Sequence, residues 1–338
     1  MGTLSAMNEL VGAVLTRPAI DRERAVEILR DGWAIEGSLR PLPSERDRNF
    51  AVAVDGVDRF VLKISNAGED PAVLAFQHAA LERLRAAGVP CQAVVPTPDG
   101  RAAIRTEPPS GALSVRLVTF LPGRPLATIA PADRPDELLR DLGRVMGRTA
   151  RAFDGWDHPA AHRPFQWEAE RSLDVIAAHA PAVSDPVRRA HLAGWQQRLR
   201  PLRAVLPTLR HGVIHNDAND HNILVGEDGR SISGLLDLGD AVWSVVVNEP
   251  AVAAAYAALD APDPIQVIDE VGAGFESELP LTADERKVVV ELVALRLATS
   301  VALSAHQSRL EPGDVYLTIS ETPAWALLER LAAVEPVR

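Results

Sequence analysis

Phe50, Val52 and Val54 alternate with their neighbours, Asp55-Gly56 follows, and Phe60, Leu62 and Ile64 alternate again. A period of two puts such residues on one face of a strand, and Asp-Gly favours a type I′ turn, so the pattern predicts a β-hairpin. Lys63 falls on the opposite face, beside Val61. On both sides the period lengthens to that of a helix: Ala25, Val26, Ile28 and Leu29 lie within residues 21–31, and VLAFQHAALERLRAAG follows Asp70-Pro71 and stops at Gly88 and Pro90. A further apolar strand over 114–120 runs into Leu121-Pro122-Gly123, where Pro-Gly marks a turn.

Beyond that turn, helical spacing dominates. Residues 136–153, 166–179 and 192–206 predict helices, the last despite Pro201. The alanine-rich run over 249–259 predicts a buried helix, and Thr282-Ala283-Asp284-Glu285 has the form of a capping box opening one long apolar helix to about Leu310. One stretch breaks this pattern. Val213-Ile214 lead into His215-Asn216-Asp217, and Ile223-Leu224-Val225 follow Asn222. After a tight turn at residues 226–229, the run over 232–236 leads into Asp237. Two adjacent strands thus bracket a polar loop too rich in Asp, Asn and His for a plain connection.

The loop carries what phosphoryl transfer needs, since that reaction is catalysed mainly by positioning and charge neutralisation. A carboxylate must lie beside the attacking hydroxyl, which suits Asp217. Oxygen ligands must hold Mg²⁺, a small hard ion that takes carboxylate, amide oxygen and water, which suits Asn222 and Asp237. The spacing Asp217-x₄-Asn222, with a later Asp after a strand, follows the kinase pattern.

HNDANDHNIL and LLDLGDA resemble the two signature motifs of the aminoglycoside phosphotransferase family, and LPSERDRNF, FVLKISNAGED and NDHNIL are most similar to its hydroxylysine kinase branch. The resembling segments form islands between about residues 33 and 300. The resemblance implies an α+β, bilobal, protein-kinase-like fold: a nucleotide-binding lobe over 20–118, a hinge over 119–123 and a helical lobe over 124–335. It implies ATP or GTP as phosphate donor with Mg²⁺, Lys63 as phosphate ligand, and purine contacts at the hinge from Thr119 and Leu121. The segment 38–51 would cover the phosphates, with Ser44 as its candidate contact or else a cap or turn serine. Gln77 stands where the family's helix glutamate would pair with Lys63, and Glu82 reads as a solvated charge. His215 would brace the catalytic loop, with a proton-carrier role as the alternative, Asp240 would support it, and Asn216, in place of the usual glycine, needs either φ > 0 or a different loop path. Glu249, Arg296 and His306 read as buried ion-pair or capping residues, with substrate contact as the alternative.

Composition adds limits. A chain of 338 residues suits two lobes, and its single cysteine excludes an internal disulfide framework and suits the cytoplasm. No apolar run reaches the ~20 residues of a membrane span, and the first residues lack the form of a secretory signal. The net charge of −11 argues against nucleic acid and favours a cationic substrate, while the resemblance implies a hydroxylated small molecule as partner. The acceptor stays open among hydroxylysine, an aminoglycoside, homoserine, choline and a sugar. Two other classes remain beside the kinase. His211, His215, Asp217 and His221 could ligate a hydrolase metal, although this leaves Lys63, Asn222 and Asp237 without roles. A nucleotide-binding protein without catalysis is the other.

Overall fold

Asp55 and Gly56 both have positive φ, 51° and 77°, as a type I′ hairpin requires. They join β2 (Arg48–Val54) to β3 (Val57–Ile64) in a computed structural model that describes residues 17–44, 47–106, 112–310 and 321–334. The described residues divide into two compact units between Pro122 and Gly123.

The first unit is an antiparallel sheet with helices. β1 (Ser38–Leu42), β2, β3, β6 (Leu113–Thr119) and β4 (Val94–Val95) lie in that order, and β5 (Ile104–Thr106) also pairs with β6. Helix α1 (Arg22–Trp33) starts at Asp21, whose Oδ1 accepts from Arg24 N at 2.8 Å. Its apolar side, with Ile28, Leu29 and Trp33, joins Phe50, Leu62, Ile64 and Leu117 in one core cluster. The opposite face of β3, with Val61 and Lys63, is buried as well. Helix α2 (Pro71–Ala86) is capped by Asp70 and buries Gln77, while Glu82 is exposed.

The second unit is mainly helical. Its elements are β7 (Arg124–Pro125), α3 (Asp136–Phe153), α4 (Ser172–His179), α5 (Pro186–Leu199), α6 (Leu202–Val205), β8 (His211–Ile214), β9 (Ile223–Val225), β10 (Ile232–Leu235), β11 (Val242–Val245), α7 (Asn248–Ala257), α8 (Pro264–Glu276), α9 (Ala283–Lys287), α10 (Val289–Leu310) and α11 (Glu321–Ala332). Helices α3 and α8 cross with their backbones almost in contact. A Cβ on Gly143 would lie 1.9 Å from Val271 O, and one on Gly274 would lie 2.0 Å from Arg140 O. Only glycine fits on either side of such a crossing.

Several expectations change. The two strands bracketing the polar loop do not pair with each other: β8 pairs with β11, and β9 lies between β10 and β7. The loop therefore links two small sheets, and Asp217 and Asp237 leave strands of different sheets. The helix expected from residue 166 begins only at Ser172, after a 3₁₀ turn over Ala169–Arg171. The helix expected through Pro201 breaks there into α5 and α6. The capping box forms, but it opens the short α9, and Val288 separates this from α10.

By length and composition α10 is, among the described residues, the one helix that could cross a membrane, which overturns the expectation that no run is long enough. Its residues from Leu292 to Thr299 are all buried inside the unit, so its apolarity is that of a core helix.

Candidate active site

The site is built on the loop between β8 and β9. Asn216 has φ 65° and Asp237 has φ 56°, left-handed values that Asn and Asp tolerate better than most residues. Asn216 thus takes the positive-φ alternative that its replacement of glycine left open. Its side chain is buried: Nδ2 donates to Trp167 O (3.4 Å) and Asp240 O (3.3 Å), and Oδ1 accepts from Asn248 Nδ2 (3.1 Å). One residue therefore ties the catalytic loop to the turn after β10 and to α7.

His215 makes a second tie. Its Nδ1 accepts from Asp217 N (3.2 Å) and its Nε2 donates to Leu236 O (2.9 Å), which fixes the neutral Nε2–H tautomer. Burial lowers the imidazole to about 4, so it stays neutral and braces the loop. Below it lies Glu249, fully buried at the start of α7, whose Oε2 accepts from His215 N (2.7 Å). Burial pushes this carboxyl up to about 8. From the other side Arg163 donates to Gly239 O (2.7 Å) and Ala241 O (2.6 Å), holding the turn that bears Asp237 and Asp240.

The Asp217 carboxylate is held by three side chains. Asn219 Nδ2 donates to both oxygens at 3.0 Å, Asn222 Nδ2 to Oδ2 at 2.7 Å, and Arg296 Nη2 to Oδ1 at 3.1 Å. Two carboxylate oxygens offer about four lone-pair positions, and all four are engaged. Asn219 also folds the loop, its Oδ1 accepting from the amides of His221 (2.9 Å) and Asn222 (3.1 Å). Burial pushes Asp217 up to about 8, with the Asp240 charge adding to the shift and Arg296 opposing it.

Arg296 enters from α10. Its side chain is 5% exposed, its guanidinium lies 4.2 Å from the Trp167 ring and 5.5 Å from the Tyr256 ring, and Nε donates to Tyr256 Oη at 3.4 Å. The ion-pair role expected for Arg296 is thus present, and its partner is the central carboxylate of the site. Glu249 takes neither expected role: its carboxylate accepts from the His215 amide, and the helix it begins has no side-chain cap. His306 packs against His179, with ring centroids 4.4 Å apart and the planes tilted by 46°.

The residues fit a magnesium site completed by phosphate and water. Asn222 directs its NH₂ to Asp217 O (3.0 Å) and Oδ2, so its Oδ1 is turned away from Asp217. Asp237 is exposed, and its Oδ1 accepts from Gly239 N at 2.9 Å in a local turn. One carboxylate and one amide oxygen form the sparse hard set with which Mg²⁺ binds beside a nucleotide. The histidine-metal alternative meets a different geometry. His211 is bonded to Leu209 O and Glu170, His215 is fully buried, and among the described residues no group of three His, Cys, Asp or Glu could hold a metal.

In the first unit Lys63 is 8% exposed, opposite Asn49 on β2 and Arg116 on β6. Gln77, expected to serve Lys63, accepts at Oε1 a hydrogen bond from Arg116 Nη1 at 2.6 Å. The neutral amide thus faces a strand arginine where the family's carboxylate would face the lysine. Ser44 Oγ accepts from Asp47 N at 3.2 Å, the turn role of its two alternatives, and Glu45 and Arg46 of the expected phosphate cover lie outside the described residues. Thr119 is engaged on all sides: its N–H donates to Ala93 O, its Oγ1 accepts from Ala93 N, and its carbonyl accepts from Gln92 Nε2. Leu121 has no hydrogen bond among the described residues, which leaves its backbone as the open contact of the expected hinge.

Sequence reasoning missed Asn219, Arg163 and the link from Arg296 to Asp217. A signal existed for Arg296: an arginine inside the apolar run of α10 must be buried with a partner. For Asn219 the signal is weaker: asparagine readily forms an Asx turn with the amide two residues on, here that of His221.

A model described as the phosphotransferase enzyme family matches residues 38–287. The chain is 33% identical over 345 residues to the hydroxylysine kinase of Mus musculus, covering 93% of this chain and 90% of that protein. With the hydroxylysine kinase of Bos taurus it shares 31% identity, over 94% of this chain and 90% of that one. Among solved structures it is similar to a microcompartment-associated aminopropanol kinase, with TM-score 0.71 and 20% identity, covering 94% of this chain and 99% of that one. The amicoumacin kinase hAmiN, solved with AMP-PNP, Ca²⁺ and Ami, matches with TM-score 0.71 and 15% identity over 94% of this chain and 96% of that one. The fold is the α+β kinase-like one, and the chain belongs to the phosphotransferase enzyme family.

Proposed function

We propose that this protein transfers the γ-phosphoryl group of ATP or GTP to the hydroxyl of a hydroxylysine-type amino acid. The observation that carries the reading is the half-buried Asp217 carboxylate, aimed by Asn219, Asn222 and Arg296 and followed by the hard oxygen ligands Asn222 and Asp237. The acceptor class follows the hydroxylysine kinases that the chain matches over more than nine-tenths of its length. An acceptor carrying an ammonium suits a site where Asp240 and Asp237 add negative potential at Asp217.

In this reading the acceptor hydroxyl replaces one of the donors on Asp217, and the neutral amide of Asn219 yields more readily than the charged Arg296. Asp217 then orients the oxygen for in-line attack and receives its proton as the bond to phosphorus forms. Asn222 and Asp237 hold Mg²⁺, which neutralises phosphate charge when bound. Lys63 gives its ammonium to the nucleotide phosphates, and the Leu121 backbone meets the purine. His215 takes no proton, because it is neutral with both ring nitrogens in use.

A coupled phosphorylation screen of hydroxylated amino acids, amino alcohols, aminoglycosides, choline and sugars, run with ATP and with GTP, tests the proposal. Turnover should be highest with 5-hydroxylysine. Preference for a sugar or an aminoglycoside would replace the acceptor class, and nucleotide binding without turnover of any acceptor would return the chain to the non-catalytic alternative.

A further inference from the structure

Lys63 shares its face of the sheet with a second cation. In the antiparallel register it lies directly opposite Arg116 of β6, which puts the two side chains on one side of the sheet with Cβ atoms about 5 Å apart. Both residues are buried, Lys63 at 8% exposure and Arg116 at 5%. Like charges placed opposite each other repel, and burial away from water strengthens the repulsion. Buried charges are kept where an opposite charge meets them.

The protein supplies no such charge to Arg116. Among the described residues Arg116 forms no ion pair: its Nη1 donates to the neutral Gln77 Oε1 at 2.6 Å, and its Nε is buried without a hydrogen-bond partner. Arg134 in the second unit shows the satisfied case, with three nitrogens donating to the carbonyls of Ile129, Ala257 and Leu126. The charge of Arg116 is also felt by its surroundings. His78, next to Gln77 on α2, is lowered to about 4, first by burial and then by the Arg116 guanidinium. A second unmet donor lies close by in the chain: Ser65, just beyond Lys63, has a buried Oγ with no partner among the described residues.

The geometry points to Arg116 as a second cation of the nucleotide-phosphate subsite: held by a neutral amide in place of a carboxylate, it adds its charge to that of Lys63 and raises the affinity for polyphosphate. This rests on the reading of Lys63 as the ligand of the nucleotide phosphates. Gln77 gains a role as well, since it fixes the guanidinium without cancelling its charge.

The test is equilibrium binding of MgATP, MgADP and adenosine to the full chain, for wild type, Gln77→Glu, Arg116→Met and Arg116→Lys. Gln77→Glu keeps the size of the side chain and neutralises the guanidinium, whereas Arg116→Met removes the charge outright. Both should weaken MgATP about 10-fold, with a smaller loss for MgADP and none for adenosine, which carries no phosphate. Arg116→Lys keeps the charge and should retain most of the MgATP affinity. Equal losses for adenosine and MgATP would overturn the inference and leave Arg116 a packing tie between α2 and the sheet. So would Gln77→Glu binding MgATP as tightly as wild type, a result that holds even if Arg116→Met folds poorly. A Lys63→Met variant with wild-type MgATP affinity would instead remove the phosphate reading of Lys63, and this inference with it.

Discussion

Asn222 Nδ2 donates to Asp217 Oδ2 at 2.7 Å, so one short hydrogen bond couples a candidate metal ligand to the candidate base. Its direction separates the two roles: the amide nitrogen serves the carboxylate, and the amide oxygen is left for a cation. Asp217→Ala should therefore lower kcat by about 10²- to 10⁴-fold while nucleotide affinity stays nearly unchanged. Steady-state kinetics with equilibrium nucleotide binding checks this, and turnover near the wild-type rate would remove Asp217 from its role.

The same carboxylate sets a pH dependence. Burial, followed by the Asp240 charge, pushes Asp217 up to about 8, so kcat/KM should climb with pH as the free enzyme loses that proton. Asp240→Asn removes the repelling charge, and the acid limb should move to lower pH. An upward move would reverse the electrostatic sign assigned to Asp240.

As the proposed Mg²⁺ ligand, Asp237 would act earlier in the reaction. Asp237→Ala should weaken Mg²⁺-nucleotide binding and raise the Mg²⁺ concentration needed for half-maximal activity. Titration of Mg²⁺ at fixed ATP reads this directly, and an unchanged midpoint counts against Asp237 as a ligand.

Glu249 ionises near 4.5 when free and at about 8 in the fold. A raised acid pKa means that the folded state binds the extra proton between those values, so this group's contribution to stability is full below about 4.5 and is lost as pH rises through about 8. Glu249→Gln lacks that proton equilibrium. Its stability relative to wild type should improve with rising pH across that window, by up to about 1.4 kcal/mol per pH unit. Urea denaturation of both proteins at several pH values measures the difference, and a constant offset would mean that Glu249 is already ionised in the fold.

Gly143→Ala should destabilise the second unit by about 1–3 kcal/mol, because its Cβ would meet Val271 O at 1.9 Å and helices α3 and α8 would have to separate. An exposed control, Gly194→Ala, meets nothing within 4 Å and should be neutral or slightly stabilising. Thermal denaturation of the pair discriminates, and equal midpoints would show that the crossing gives way without cost.

Local structure was the legible part. The Asp-Gly hairpin, the Thr282 capping box and the order of Asp217, Asn222 and Asp237 each depend on residues a few positions apart. What depends on distant pairing was not legible. Helical periodicity puts Arg296 on a buried surface but does not name the carboxylate it meets. Nor does strand alternation reveal that Arg116, in register with Lys63, takes the oxygen of Gln77. The apolar runs of β8 and β9 do not reveal their partners β11 and β7, which lie elsewhere in the chain, whereas the hairpin of β9 with β10 is local. The long helix expected from Thr282 breaks at Val288, where the apolar pattern continues but the backbone turns.

The chelating grip of Asn219 on Asp217 has a consequence for wasted turnover. On the proposed reading, a base with every lone pair occupied would have none to lend to a stray water, so a molecule loaded with ATP should be protected from futile hydrolysis until an alcohol dislodges the amide. Asn219→Ala would open that vacancy to solvent, and acceptor-free release of inorganic phosphate should increase as phosphorylation of the true substrate loses its advantage over water.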